Sequence, residues 1–244
     1  MKKQVIPVAL GALLAFGLPA LAQKSPDVAT ITVWKTKAGA GAAFAEGRKR
    51  HMELHRQQKD AWGWFTWEIV NGPREGQFLT GSFGHLWKDF DGREAFDALD
   101  APDVAKNLAP HVAGTESSYW AHMTEASRPP AVDAGPSAFS QLTHYYVHPA
   151  DVPRFEDALA EVKAALDKIE WPVHSWWYRL ISGGSGPHYV LSTARANWAA
   201  FAPLDKSLLE GLTEAVGARR ATELLDTVRA STDHVETEIL AYRA

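Results

Sequence analysis

The stretch WFTWEIVNGPREGQFLTGSF (residues 64–83) and the stretch SWWYRLISGGSGPHYVLSTA (residues 175–194) are one hairpin written twice. In each, a run of aromatic and β-branched residues meets a glycine-containing turn and then a second such run. Trp67 falls on Tyr178, Ile69 on Leu180, Gly72 on Gly183 and Phe78 on Tyr189, all at one offset of 111 residues. The correspondence extends outward without a gap. Upstream, Thr32 matches Thr143, Trp34 matches Tyr145, Phe44 matches Phe155 and Glu46 matches Asp157. Downstream, Ser82 matches Thr193, Trp87 matches Trp198 and Phe90 matches Phe201. A constant register over about sixty positions marks a duplicated unit.

Each copy, about 100 residues long, reads as βαββαβ. Strands over 30–36 and 139–147 lead through turns into helices over 42–58 and 152–169, the second started by Asp151 and Pro153. The hairpins supply strands 64–70 and 77–83 in the first copy, and 175–181 and 188–193 in the second. A helical region follows each hairpin, and strands over 118–124 and 235–242 close the copies. Trp62, Trp64, Phe65, Trp67 and Ile69 occupy both parities of their strand, so both faces of the sheet are expected to be buried. The fold class predicted is α+β: two tandem ferredoxin-like units whose antiparallel sheets pack together as an intramolecular barrel. Residues 23–126 form the first half and 138–244 the second. The segment 127–137, with Pro129, Pro130, Gly135 and Pro136, links them.

Residues 1–22 read as an export signal. Lys2 and Lys3 precede an apolar run broken by Pro7, Gly11 and Gly17, and Ala20-Leu21-Ala22 supplies the small-x-small cleavage pattern. The run is too short and too interrupted for a stable membrane span. The reading places the cleaved chain in the periplasm or outside the cell, with no membrane attachment. Loss of Lys2 and Lys3 takes the formal net charge from -4 to about -6. Arg48-Lys49-Arg50 is then the one basic cluster, which argues against a nucleic-acid partner. With no Cys, thiol catalysis and thiolate-bound metals are excluded. The ten Trp residues require much buried surface.

The strand–turn–helix entries around Phe44 and Phe155, and a Trp followed by a Phe after each third strand (Trp87 with Phe90, Trp198 with Phe201), resemble the dimeric α+β barrel superfamily. That superfamily includes the antibiotic-biosynthesis-monooxygenase-like proteins. The resemblance covers nearly the whole chain after residue 22. It implies a range of activities: cofactor-free oxygenases, haem-dependent peroxidases, haem-degrading enzymes and plain binding proteins. Fold alone does not choose among them.

The two copies differ most in their first helix. Spacings of 4, 3, 4 and 3 select one helical face. In the second copy that face is Phe155, Leu159, Val162, Leu166 and Ile169; in the first it is Phe44, Arg48, His51, His55 and Gln58. Each lost aliphatic burial forgoes roughly 1.5–3 kcal/mol, and each buried, unpaired polar group costs about 1–3 kcal/mol more. Four such positions approach the roughly 5–15 kcal/mol that holds a domain together. Either a polar cavity separates this helix from the sheet, or the helix has rolled to bury Ala43, Phe44, Gly47 and Leu54. The cavity reading makes Arg48, His51 and His55 the catalytic candidates. Gln58, Trp34, Trp64, Glu68, Trp87, Tyr119 and His122 are then its ligand-binding lining.

The substrate expected is a small molecule, aromatic or quinone-like by the resemblance, with His51 or His55 as a base and Arg48 holding the anion. His51 and His55, four apart, could share a divalent metal, with a further ligand such as His122 brought from a strand. A lone helical His could also ligate haem, although no Cys-x-x-Cys-His or Gly-x-x-Asp-Gly stretch is present. No cofactor is favoured. His144, His148, His174, His188 and His234 are read as structural or surface residues. A rival reading is a non-catalytic interaction module with exposed aromatics. A monomer and a homo-oligomer both fit the pattern.

Overall fold

The computed structural model describes residues 27–131 and 135–244, so the segment read as an export signal lies outside the described residues. Eight antiparallel strands, β1 (Val28–Thr36), β2 (Phe65–Asn71), β3 (Phe78–His85), β4 (Val112–His122), β5 (Phe139–Val147), β6 (Ser175–Ser182), β7 (His188–Arg195) and β8 (Thr232–Tyr242), form a closed barrel. Six α-helices are described: α1 (Gly41–Gln57), α2 (Trp87–Asp91), α3 (Glu94–Asn107), α4 (Val152–Lys168), α5 (Leu208–Val216) and α6 (Ala218–Ala230). None is long and apolar enough to cross a membrane.

Each half has the strand order 4-1-3-2 expected of the βαββαβ unit, and the ring reads β1-β3-β2-β8-β5-β7-β6-β4. The expected packing of two sheets is therefore achieved by strand pairing at two seams. At one, β2 pairs with β8, setting Trp67 beside Tyr242 and Ile69 beside Leu240. At the other, β4 pairs with β6, setting Trp120 beside Leu180 and His122 beside Tyr178. The fourth strands are also longer at their starts than their β-rich segments suggest, and the added residues pair within each half. β4 begins at Val112 and β8 at Thr232, through polar residues that the neighbouring first strands hold in register.

Side-chain alternation sorts the apolar residues into inner and outer sets. Val33, Trp67, Ile69, Leu79, Leu142, Val190 and Leu240 cluster on the inside. Outside, Phe155 and Leu159 of α4 pack on Trp177 and Tyr189, and Leu166 joins Trp171 and Leu212 beneath α5 and α6. The first half has a smaller outer cluster, in which Phe44 of α1 meets Phe78, Leu108 and Trp34. The link between the halves is anchored where it starts: Arg128 pairs with Ser175 in a β-bridge and donates to Asp167 and to the Val173 and Trp171 carbonyls.

The matched turn glycines close the seams. Gly72, at φ +119°, leaves only 2.8 Å between a would-be Cβ and the Thr237 carbonyl oxygen of β8. Gly183, at φ +93°, lies so near β4 that a Cβ would overlap the Ser117 carbonyl oxygen. Gly183→Ala should therefore destabilise the protein by roughly 2–4 kcal/mol, through left-handed strain and overlap together. Gly114→Ala, whose Cβ meets nothing within 4 Å, should change stability by less than about 0.5 kcal/mol. Urea unfolding of the two variants checks this, and a silent Gly183→Ala would mean that the β4–β6 seam is loosely packed.

Candidate functional site

Two regions gather polar chemistry in the buried interior. The first is the polar face of α1. The helix has not rolled: Phe44, Arg48, His51 and His55 are all buried. What meets this face beyond Phe44 is an acidic wall supplied by α3 and by the turn after α1. His51 Nδ1 lies 2.8 Å from Asp103 Oδ1, and His55 Nδ1 lies 2.8 Å from Asp60 Oδ2. The two Nε2 atoms are 3.1 Å apart. Asp100 Oδ1 stands 3.4 Å from His51 Nε2 and 3.3 Å from His55 Nε2.

The carboxylates are themselves held. Asp60 is buried. It accepts from the Trp62 backbone N–H, from Trp64 Nε1 at 3.0 Å and from Arg93. Burial alone would raise its pKa, but the hydrogen bonds from Arg93 and His55 outweigh that and hold it at about 2. Arg93 is fixed in turn between the rings of Trp62 and Phe96, 4.3 Å from each. Asn107 donates to Asp103 at 2.9 Å. Burial opposes protonation of His55, yet the Asp100 and Asp60 carboxylates prevail and raise its pKa.

The other sequence candidates are dispersed. Arg48 turns to the main-chain oxygen of Ala244 and tethers the residues that follow β8. Gln58 is exposed at the end of α1. Trp34 donates to Thr80 and packs on Phe44. Trp64 sits beside His55. Glu68 pairs with Arg243 near the surface. Trp87, 45% exposed, and Tyr119 share an aromatic group with Phe90. His122 faces Asp27 and Tyr178. The structure thus brings together His51, His55 and Trp64 and adds Asp60, Arg93, Asp100 and Asp103. The acids at 97, 100 and 103, three apart on one helix, were the available signal.

The second region is inside the barrel, a chamber of about 360 Å³. Phe65, Trp67, Phe83, Trp120, Trp176 and Tyr178 are among its walls. Toward the β2–β3 hairpin it becomes polar. Arg74 donates to both oxygens of Glu238, at 2.9 and 2.6 Å. His144 Nε2 lies 3.5 Å from Glu238 Oε2, and its Nδ1 is 3.0 Å from His188 Nε2. His188 stacks on Tyr146 and meets the edge of Trp120.

Burial first, then the nearby His144 and Arg74, depress His188 to a pKa of about 3, so it is neutral at ordinary pH. Burial acts to raise Glu238, but Arg74 and His144 hold it at about 2. Among the described residues Trp67 Nε1, a buried group of the lining, has no hydrogen-bond partner, and His144 Nε2 has only the 3.5 Å approach of Glu238. Of the two alternatives read for His144 and His188, structural or surface, the surface one is set aside here: both are buried and both line the chamber. Haem does not suit α1, because both Nε2 atoms converge on each other and on Asp100.

No family model and no curated protein matches the chain. Solved structures do match its fold. A putative monooxygenase from Lactobacillus acidophilus aligns over 89% of this chain and 94% of its own, with a TM-score of 0.58 at 9% identity. An anthrone oxidase-like protein aligns over 91% and 93%, with a TM-score of 0.54 at 14% identity. Chlorite dismutase from Candidatus Nitrospira defluvii aligns over 91% and 92%, with a TM-score of 0.53 at 8% identity. At such identities the likeness is one of fold, and the fold is the dimeric α+β barrel, with both of its sheets supplied by a single chain.

Proposed function

We propose that this is an exported small-molecule-binding protein whose ligand occupies the chamber inside the barrel. One observation carries the reading: an aromatic-walled space of about 360 Å³ is lined by a buried indole N–H, Trp67 Nε1, that has no hydrogen-bond partner among the described residues. Apolar walls with a few unsatisfied polar groups are the usual form of a small-molecule site. An indole N–H can only donate, so the ligand must bring an acceptor such as a carbonyl oxygen. Arg74 is already neutralised by Glu238, and His188 is uncharged, so this end favours an uncharged ligand.

A neutral, planar aromatic carbonyl compound meets these conditions. It is also in keeping with neighbours described as putative monooxygenases and as anthrone oxidase-like. An oxygenase reaction that begins by removing a proton from such a ligand draws on His144, since burial leaves His188 too weak a base. The α1 imidazoles are turned to carboxylates and, among the described residues, do not line the chamber.

Titration of the purified chain with 1,4-naphthoquinone and anthraquinone, followed by tryptophan fluorescence, tests this. Saturable quenching is expected. Trp67→Phe should weaken binding about 5–10-fold, the equivalent of one hydrogen bond of about 1 kcal/mol. Leu142→Trp, which fills the chamber, should abolish it. Binding that survives Leu142→Trp places the ligand elsewhere and contradicts the proposal.

The chamber also sets a pH dependence. The pKa of His188 falls on folding, from about 6.5 to about 3, so the unfolded chain binds the extra proton between those values. Its contribution is fully present above about pH 6.5 and is lost as the pH falls toward 3. Glu238, lowered from about 4.5 to about 2, adds a further loss over that lower window. In His188→Gln the slope of unfolding free energy against pH, measured between pH 6 and 4, should be shallower by up to ~1.4 kcal/mol per pH unit. Equal slopes in the two proteins would contradict the buried, neutral assignment.

A further inference from the structure

The junction of α1 and α3 poses an electrostatic problem independent of the chamber. A neutral imidazole carries one N–H. His51 directs its Nδ1 at the Asp103 carboxylate and His55 directs its Nδ1 at the Asp60 carboxylate, each at 2.8 Å. In the neutral form of each ring that proton sits on Nδ1, which leaves the two Nε2 lone pairs facing each other 3.1 Å apart. Asp100 Oδ1 completes a triangle with edges of 3.4 and 3.3 Å, and this buried oxygen has no hydrogen-bond partner among the described residues. Three lone pairs converging in a buried place repel one another unless a cation lies between them.

The size of the triangle suits a metal ion. With bonds of about 2.0–2.1 Å, neighbouring ligand atoms in tetrahedral or octahedral coordination are about 2.9–3.4 Å apart. The outer partners fit as well, since metal-bound histidines commonly give their other N–H to a carboxylate that fixes the ring. Here both do, and Asp60 is held by Arg93 and Trp64 while Asp103 is held by Asn107. Three carboxylates, Asp60, Asp100 and Asp103, surround the two imidazoles, and Arg93 pairs with Asp60, so the Asp100 and Asp103 charges favour a cation between the rings. Two nitrogens and one oxygen disfavour calcium and magnesium, which take oxygen ligands, and favour a borderline first-row ion.

We propose that His51, His55 and Asp100 bind one divalent first-row transition-metal ion, which fastens α1 to α3. At the matching positions of α4 stand Val162 and Leu166, so the second half obtains by aliphatic packing what the first obtains by coordination. Among the described residues none of the three ligands lines the barrel chamber, so the site stands or falls separately from the chamber's ligand.

The test is titration of chelator-treated full chain with Co²⁺. One equivalent should bind, with visible d–d absorption and a raised Tm. Two hyperfine-shifted, exchangeable imidazole N–H protons should appear in the proton NMR spectrum, one from each Nδ1. Asp100→Asn should weaken binding at least 100-fold and remove the Tm shift, with far-UV circular dichroism verifying its fold. Asp103→Asn, which alters only the positioning of His51, should weaken binding about 10–100-fold. Absence of Co²⁺ uptake by the wild-type chain would mean that a proton alone bridges the triangle and would overturn the proposal. So would fewer than two shifted N–H signals, which can be read even if a variant fails to fold, or wild-type affinity in a folded Asp100→Asn.

Discussion

A closed ring of eight strands has no edge left to pair and two faces to keep dry, and everything else in this protein follows from that closure. The two seams, β2 with β8 and β4 with β6, commit both halves to one interior. The inner faces then have only each other, and their aromatic side chains meet around a chamber rather than filling it. The outer faces must be covered by helices, one set per half. The aromatic load of the sequence is divided accordingly. Trp67 and Trp120 face in, while Trp34 and Trp177 face out under α1 and α4.

The two covers solve one problem with different chemistry. Under α4 the contact is aliphatic and aromatic, and it continues into α5 and α6. Under α1 the apolar contact is limited to the cluster around Phe44, and the rest of the buried face is ionic. Ionic burial is stable only when every charge has a partner, because an isolated one costs several kcal/mol. The layered arrangement of Asp60, Asp103, Arg93 and Asn107 around the two imidazoles meets that condition for the outer nitrogens. It leaves the inner nitrogens and Asp100 facing one another, which is where a cation belongs.

Much of the fold was legible because its signals are local. Turn glycines, aromatic and β-branched runs and the helix start at Asp151 each act over a few residues, and duplication repeats the first two at a fixed offset. The departure at Arg48, His51 and His55 was legible for the same reason, since α4 supplies the comparison. The partners were not. Asp100 and Asp103 approach α1 only once α3 has folded back over it, and neither hydrophobic period nor propensity encodes that approach. The chamber was hidden for another reason. Both strand faces are apolar, so nothing in the sequence says which parity turns inward. His144 and His188 become a pair only when β5 and β7 align, and Glu238 and Arg74 join them from across a seam.

The duplicated scaffold therefore carries two distinct buried polar centres. One, within the barrel, is arranged around neutral groups and empty volume; the other, under the first helix, is arranged around converging lone pairs. The second is the more demanding physically, because three donor atoms cannot stay so close in a buried place without positive charge between them. An anomalous-difference map from crystals grown with Zn²⁺, collected on either side of the zinc edge, examines it directly. The account requires a single strong peak about 2 Å from His51 Nε2, His55 Nε2 and Asp100 Oδ1. A featureless map there, with one imidazole donating an ordinary Nε2 hydrogen bond to the other, would contradict it.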